Sequence, residues 1–144
     1  MALNLNMSPD AFETHIDRLK LSESSSEGVP VSAMAFLGDG VWEILVREYL
    51  TVSNLGKADK LHERKTEMVN AVYQCRAAEK IMEHLTDSEK NIYIRGRNTH
   101  TAHTPRRTSK RDYHSATGLE TLFGWLYLNS ETDRIKELFR IAVG

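Results

Sequence analysis

The sequence has few of the residues and segments that mark secreted, membrane-bound or metal-cluster proteins. Its 144 residues include a single cysteine, Cys75, which excludes an intramolecular disulfide and a cysteine-rich zinc cluster. No apolar run approaches the roughly 18–20 residues of a membrane span. The amino end lacks the basic start and apolar core of a secretory signal. We therefore expect a soluble, cytoplasmic chain without membrane contact, and its length predicts one domain.

Internal repeats and sustained apolar–polar alternation are also absent, so the pattern predicts an all-α fold. Ser8-Pro9-Asp10 is typical of a helix start, and that helix should end near Leu21. A serine-rich connector follows, and we expect residues 1–30 to form part of the same domain as residues 31–144. Further helices are expected over residues 31–50, 58–85, 86–95, 111–128 and 131–142, with a loop over residues 96–109. In these helices we expect Thr86 and Glu89 to form a capping box, Ser130 to cap the last helix, and Leu61, Met68, Val72, Cys75 and Ile81 to be core residues.

The formal net charge of −1 hides an uneven distribution of charge. One segment carries a charge of +6 without an acidic residue, which leaves −7 for the rest of the chain. Its cations are Arg95, Arg97, Arg106, Arg107, Lys110 and Arg111. Such a segment indicates either a surface that faces a polyanion or a solvated loop. A weaker cluster of Lys60, Arg64 and Lys65 is interrupted by acids and is better interpreted as a solvated helix face.

Three carboxylates interrupt otherwise apolar helices. Asp39 and Glu43 are the only charged residues between Glu27 and Arg47, and Glu120 is the only fixed charge between Asp112 and Glu131. An ionised carboxylate is costly to bury unless it is paired or bound to a metal.

Each of these acids also has an ordinary structural explanation. Glu43 lies four residues before Arg47, so an ion pair on one helix face accounts for it. The glycines on either side of Asp39 indicate that something approaches the backbone closely there, or that two helices pack tightly. Around Glu120, small and polar residues also fit a thin exposed face; these are Thr117, Thr121 and Gly124.

Asp39 and Glu120 together suggest a site for a hard divalent cation. Magnesium takes oxygen ligands and commonly uses one or two protein carboxylates together with waters and phosphate oxygens. Beside a basic segment, such a site favours phosphodiester chemistry.

Four segments in the correct order resemble a known family. AFLGDGVWE (35–43) resembles the first signature of the ribonuclease III catalytic domain, and TGLETLFGWLYL (117–128) resembles the second. KADKLHERKTEMVNA (57–71) and RGRNTHTAHTPR (95–106) are similar to the mini-ribonuclease III subfamily, which has the catalytic domain without the double-stranded-RNA-binding domain. The resemblance covers residues 31–128.

This resemblance implies a helical endonuclease-domain bundle that works as a homodimer. It implies hydrolysis of double-stranded RNA to 5′-phosphate and 3′-hydroxyl ends with Mg²⁺, for which Mn²⁺ is a possible substitute. The subfamily is implicated in maturation of large-subunit (23S) ribosomal RNA, so precursor 23S rRNA is the expected partner.

The implied catalytic and metal-binding residues are Asp39 and Glu120. Larger relatives have further acids at the positions of Ser32, Ala35 and Thr117, which leaves the number of metal ions open. Glu43 has no counterpart in the larger enzymes and is a candidate for a supporting role only.

RNA binding is expected from the basic segment. The residues expected to contact RNA are Arg95, Arg97, Asn98, Arg106, Arg107, Lys110 and Arg111. A second group, of large aromatic residues, fits either a dimer interface or the core; it comprises Phe36, Trp42, Phe123, Trp125 and Tyr127. The alternative function is a non-catalytic RNA-binding or ribosome-associated helical module, which would use the same basic segment but would not depend on the two acids.

Overall fold

A computed structural model describes residues 25–53, 57–99 and 108–144, and every regular element within these ranges is a helix. The all-α prediction is therefore confirmed. The elements are α1 (Val31–Val52), α2 (Ala58–Val69), α3 (Ala71–Ile81), a 3₁₀-helix (Met82–His84), α4 (Asp87–Arg97), α5 (Lys110–Leu128) and α6 (Thr132–Val143). The helix predicted from Ser8 to about Leu21 lies outside the described residues.

Helix α5 lies at the centre of the fold and packs against α1, α3, α4 and α6. It is apolar on most sides, and nine of its residues are buried. Trp42 of α1 lies edge-on to Phe123 of α5 at 5.3 Å and to Phe139 of α6 at 5.2 Å. The Trp42 indole Nε1 donates a 2.9 Å hydrogen bond to the carbonyl oxygen of Met68, so the one polar atom of this buried ring is satisfied.

The helical region predicted over residues 58–85 is divided into two helices at Asn70. Asn70 has extended backbone angles, and its side-chain oxygen accepts a 2.9 Å hydrogen bond from the Tyr73 backbone N–H. It therefore caps the start of α3 and ends α2. Among the five core positions predicted in this region, Met68, Cys75 and Ile81 are buried and Leu61 is half-buried. The prediction for Val72 is wrong, because this side chain is 46% exposed.

The capping box at the start of α4 is confirmed. The Glu89 backbone N–H donates to the Thr86 hydroxyl at 3.2 Å, and the Thr86 N–H donates to the Glu89 carboxylate at 2.8 Å. The loop predicted from Gly96 begins two residues later in the structure, because α4 continues through Arg97 and Gly96 is buried against α5.

The prediction that Ser130 caps the last helix is wrong. Ser130 has a φ of 58° and completes the end of α5 instead. Its N–H donates to the Tyr127 carbonyl at 3.1 Å, while the Glu131 N–H donates to the Leu126 carbonyl at 2.9 Å. This pair of hydrogen bonds is a Schellman motif, in which the left-handed position is commonly a glycine. Glu131 consequently becomes the N-cap of α6.

Candidate active site

Two glycines bring α1 and α5 into direct backbone contact. A Cβ atom at Gly38 would overlap the carbonyl oxygen of Glu120, and one at Gly124 would overlap the carbonyl oxygen of Met34. Tight helix packing therefore explains Gly38, whereas a Cβ at Gly40 would meet no atom of the described residues within 4 Å. The crossing places Asp39, the next residue after Gly38, beside Glu120.

Asp39 and Glu120 line one cleft of about 380 Å³. The cleft also contains Ser32, Ala35 and Thr117, the three positions at which the resemblance gives larger relatives further acids. Its remaining lining residues are Val31, Phe36, Thr99 and Tyr113. The two candidate ligands and the three neutral replacements thus surround the same space.

The electrostatics of the cleft disfavour two free negative charges. Burial and the nearby charge of Asp39 raise the pKa of Glu120 from 4.5 to about 8. Two effects raise the pKa of Asp39 above 3.8: the larger is partial burial of its carboxyl group, and the smaller is repulsion from Glu43. Within the described ranges, neither carboxylate forms an ion pair with a protein cation. A bound cation would supply the missing positive charge and would favour the ionised form of both groups.

The donor set fits a hard divalent cation that retains most of its water. In the part of the chain that the structure describes, no group of three or more His, Cys, Asp or Glu side chains could hold a metal ion. Two carboxylate ligands match the way proteins bind Mg²⁺, which is typically held by one or two carboxylates and by substrate phosphates. The cleft therefore fits a metal ion that is completed by water and substrate.

Glu43 lies one turn beyond Asp39 and contacts cations on two helices. Its carboxylate is 3.6 Å from Arg47 Nε, which is the ion pair expected from their spacing. It is also 3.7 Å from Lys65 Nζ on α2. Glu43 therefore links α1 to α2, and its negative charge contributes to the raised pKa of Asp39.

The described members of the basic segment lie at the end of α4 and the start of α5. Arg95, Arg97, Asn98, Lys110 and Arg111 are all exposed, while Arg106 and Arg107 lie outside the described residues. Three of the five line a second cavity of about 320 Å³. The lining residues of that cavity are Cys75, Glu79, Tyr93, Arg97, Asn98, Arg111, His114 and Ser115.

This second cavity is adjacent to the acidic cleft. After α4, Asn98 lines the basic cavity and its neighbour Thr99 lines the cleft. On α5, His114 lines the basic cavity and its neighbour Tyr113 lines the cleft. Two contacts hold its arginines: Arg111 pairs with Glu79 at 2.8 Å, and the Arg97 guanidinium lies 5.9 Å from the centre of the Tyr93 ring. The end of α4 and the start of α5 therefore separate an acidic from a basic surface.

Comparison with known proteins identifies the family. Residues 32–131 match the Ribonuclease III domain. The chain is 34% identical over 111 residues to the Mini-ribonuclease 3 of Clostridium tetani, covering 76% of this chain and 74% of that protein. It is 33% identical over 116 residues to the Mini-ribonuclease 3 of Thermosynechococcus vestitus, covering 81% and 75%. The chain belongs to the Mini-ribonuclease 3 family.

Membership in the Mini-ribonuclease 3 family makes the chain an endoribonuclease of the ribonuclease III type, a family that generally uses a divalent metal ion. The fold agrees with a solved structure. A crystal structure of a Fusobacterium nucleatum protein matches with a TM-score of 0.74 and 30% identity, covering 83% of this chain and 97% of that one. Across residues 25–53, 57–99 and 108–144, no helix has the length and apolar character needed to cross a membrane.

The site candidates from the sequence do not include four residues that line the cleft, namely Val31, Phe36, Thr99 and Tyr113. Tyr113 lies seven residues before Glu120, so helical spacing alone would have placed both on one face of α5. Thr99 follows the end of α4 and carries no local signal. Phe36 was considered only as interface or core, and in this member of the Mini-ribonuclease 3 family its side chain lines the cleft and is 86% exposed. Among the other large aromatics, Trp42 and Phe123 are core residues, whereas Trp125 and Tyr127 are half-buried.

Proposed function

We propose that this endoribonuclease hydrolyses double-stranded RNA at the cleft between α1 and α5. The observation that carries the proposal is the pairing of Asp39 and Glu120 across the glycine crossing, in a cleft where none of the described cations pairs with either charge. Water attacks phosphorus, the bond from phosphorus to the 3′ oxygen breaks, and the products carry a 5′-phosphate and a 3′-hydroxyl.

Asp39 and Glu120 would hold the divalent ion, which we propose to be Mg²⁺ with Mn²⁺ as a substitute. The ion would supply Lewis-acid chemistry for phosphodiester hydrolysis. The contribution of the chain is to fix the two carboxylates on rigid helices. Gly38 and Gly124 set their separation, because the backbones of α1 and α5 touch there. With neutral side chains at Ser32, Ala35 and Thr117, water and phosphate oxygens would complete the coordination.

The basic segment would bind the duplex beside the cleft. Lysine and arginine side chains contact phosphates, and A-form RNA presents its 2′-hydroxyls in a wide, shallow minor groove. Asn98 and Thr99 are consecutive residues on the two surfaces, so a strand lying over the acids would also meet this segment. The proposed RNA-binding residues are Arg95, Arg97, Asn98, Arg106, Arg107, Lys110 and Arg111. We propose precursor 23S rRNA in the cytoplasm as the natural substrate.

A homodimer would allow both strands to be cut. Phe36 and Ile44 are eight residues apart on α1 and therefore share one helix face, where they are 86% and 59% exposed. Large apolar side chains with this exposure fit a two-fold interface in which the same patch meets itself. Two clefts per dimer would leave the short 3′ overhang that the family resemblance implies.

The test is cleavage of an end-labelled RNA duplex with Mg²⁺. We expect the wild-type chain to cut both strands, and Asp39→Asn and Glu120→Gln each to reduce the rate by at least a hundredfold while the chain still binds the duplex. Glu48→Gln is the matched control, because Glu48 is an exposed acid on the same helix outside the cleft. Binding of several duplexes without cleavage, with Mn²⁺ as well as Mg²⁺, would instead support the RNA-binding module.

A further inference from the structure

A small pocket between the carboxyl-terminal part of α1 and helix α2 is lined by two cations, and none of its described lining residues is an acid. We call it the α1–α2 pocket; its volume is about 150 Å³. Its polar lining residues are Arg47, Thr51, His62 and Lys65, and its apolar lining residues are Leu50, Ala58 and Leu61. A pocket of this size and charge suits a single phosphate group.

Lys65 differs from the other lysine of its cluster. The Lys65 side chain is 22% exposed and reaches across to α1, whereas Lys60 is 63% exposed and pairs with Glu63 of its own helix at 3.4 Å. The interpretation of this cluster as a solvated helix face therefore holds for Lys60 but not for Lys65. Ordering Lys65 at the wall of the pocket reduces the entropy that a ligand would otherwise have to remove.

The acids of α2 lie away from Lys65. At 100° per residue, Asp59, Glu63 and Glu67 lie within one arc of about 80°, and Lys65 is at least about 120° from each of them. Glu43 of α1 contacts two cations of the pocket, Arg47 at 3.6 Å and Lys65 at 3.7 Å. One carboxylate shared by two cations leaves the pocket with net positive charge and holds both cations at its edge.

The α1–α2 pocket lies in line with the acidic cleft. Asp39, Glu43 and Arg47 follow one another at intervals of four residues, so they form one stripe along α1. Asp39 and Arg47 are eight residues apart, or about 12 Å along the helix axis. A duplex that rests on the cleft would extend over the pocket.

We propose that the α1–α2 pocket binds a backbone phosphate of the same RNA duplex that is cut at the Asp39–Glu120 cleft. This inference rests on the proposed function and adds a contact on the side of the cleft away from the basic segment. Arg47 and Lys65 donate to the phosphate oxygens, and the imidazole of His62 is placed to add a further N–H. The contact fixes the direction of the duplex along α1 and carries no sequence information.

The experiment measures duplex RNA binding against salt concentration in the Asp39→Asn chain, which holds its substrate uncut. We expect Lys65→Gln and Arg47→Gln each to lower the slope of log K against log salt by about one, and to weaken binding roughly threefold to tenfold at moderate salt. Lys60→Gln is the matched control, and its slope should equal that of the parent chain. Unfolding temperatures of all variants exclude a general loss of structure.

Each outcome separates this proposal from the proposed function. Equal slopes in Lys65→Gln, Arg47→Gln and the parent overturn the pocket, even if the wild-type chain cleaves RNA. If the wild-type chain never cleaves RNA but the variants show the expected slopes, the proposed function is overturned and phosphate binding at the α1–α2 pocket is supported. Titration with inorganic phosphate provides a further distinction. Saturable binding that Lys65→Gln removes, without any change in the RNA slopes, indicates a site for free anions and overturns the assignment to RNA.

Discussion

The protonation of Glu120 depends strongly on its surroundings. Burial and the charge of Asp39 raise its pKa from 4.5 to about 8, so the metal-free folded chain keeps a proton that the unfolded chain releases near pH 4.5. Because the folded state binds this proton more tightly, raising the pH from about 5 to 8 removes stability from the metal-free protein. The loss should be on the order of 3 kcal/mol, since each unit of pKa shift corresponds to about 1.4 kcal/mol.

Thermal unfolding in a chelating buffer at several pH values measures this effect. We expect the unfolding temperature to fall between pH 5 and pH 8 in the wild-type chain and to change much less in Glu120→Gln. The amide cannot ionise but occupies nearly the same volume. Adding Mg²⁺ should restore more stability at pH 8 than at pH 5, because the ion competes with the proton. Parallel pH curves for the two chains would contradict the raised pKa.

The candidate acids are visible in the sequence because each interrupts an apolar helix. The sequence does not show that the two acids lie close together, because this depends on a backbone contact between helices that are about eighty residues apart in the chain. The sequence suggests a close approach at Gly38 and at Gly40, and only the structure distinguishes the packed glycine from the open one. The exposure of Phe36 is equally hidden, since its local context is as apolar as that of the buried Trp42.

At the scale of secondary-structure elements, the crossing of α1 and α5 depends on Gly38. A methyl group at Gly38 would overlap the Glu120 carbonyl oxygen, which belongs to helical backbone and cannot move aside. We therefore expect Gly38→Ala to separate the helices, to destabilise the fold by about 3 kcal/mol and to lower cleavage. Urea unfolding and the duplex cleavage assay measure the two effects.

Gly40→Ala is the matched control for this crossing. A Cβ at Gly40 meets nothing within 4 Å, and alanine favours a helix by about 1 kcal/mol over glycine. The Gly40→Ala chain should thus be as stable as the wild type or more stable. A loss of stability at Gly40 equal to the loss at Gly38 would show that the helix crossing is not the cause.

The start of α4 is joined to α6 by a buried ion pair. Burial by itself raises the pKa of Glu89, but hydrogen bonds from Arg134 and Thr86 outweigh it and lower the pKa below 4.5. Both Arg134 contacts with this carboxylate are 2.9 Å long, and Arg134 also donates to the His84 carbonyl. Glu89→Gln should destabilise the chain by about 3 kcal/mol, because the largely buried Arg134 would lose its buried ionic partner and keep the exposed carboxylate of Glu137.

Glu137 offers the comparison for Glu89. It pairs with the same arginine at 3.0 Å but is 60% exposed, so Glu137→Gln should cost less than about 1 kcal/mol. Urea unfolding at pH 7 measures both variants, and equal losses would contradict the distinction between a buried and an exposed pair. On acidification, the wild-type chain should lose the Glu89 contribution only below about pH 4.5, since the folded-state pKa is lowered.

Helix positions follow from the sequence more closely than helix ends. The apolar run that begins at Val31 predicts α1 nearly in full, and the Thr86–Glu89 capping box marks the start of α4 to the residue. The break at Asn70 was missed although asparagine is a strong N-cap, because helical spacing continues through it. The sequence does not predict the role of Ser130, because serine is a common N-cap, whereas this serine has a left-handed backbone conformation that completes the end of α5.

At the scale of the whole molecule, the acidic cleft is connected to two basic sites. Asn98 and Thr99 are consecutive residues that line the basic cavity and the cleft, and Asp39 of the cleft lies on the same stripe of α1 as Arg47 of the α1–α2 pocket. Net charge alone gives no sign of this order, because the chain is close to neutral. Both basic sites would therefore attract a polyanion such as RNA. The acidic cleft would accept the negative charge of a phosphate group only together with a bound cation.

The exposed apolar face of α1 predicts that two copies of the chain assemble through this surface. If Phe36 and Ile44 form a two-fold interface, the wild-type chain should sediment with about twice the 16.4 kDa mass of one chain. Ile44→Asp should weaken the dimer by more than tenfold, because the substitution occurs twice in a symmetric interface and each copy buries a charge. Val72→Asp on α3 is the control, since Val72 is also exposed but lies on another helix. A wild-type chain that stays monomeric at high concentration, or a dimer that Ile44→Asp leaves intact, would exclude this interface.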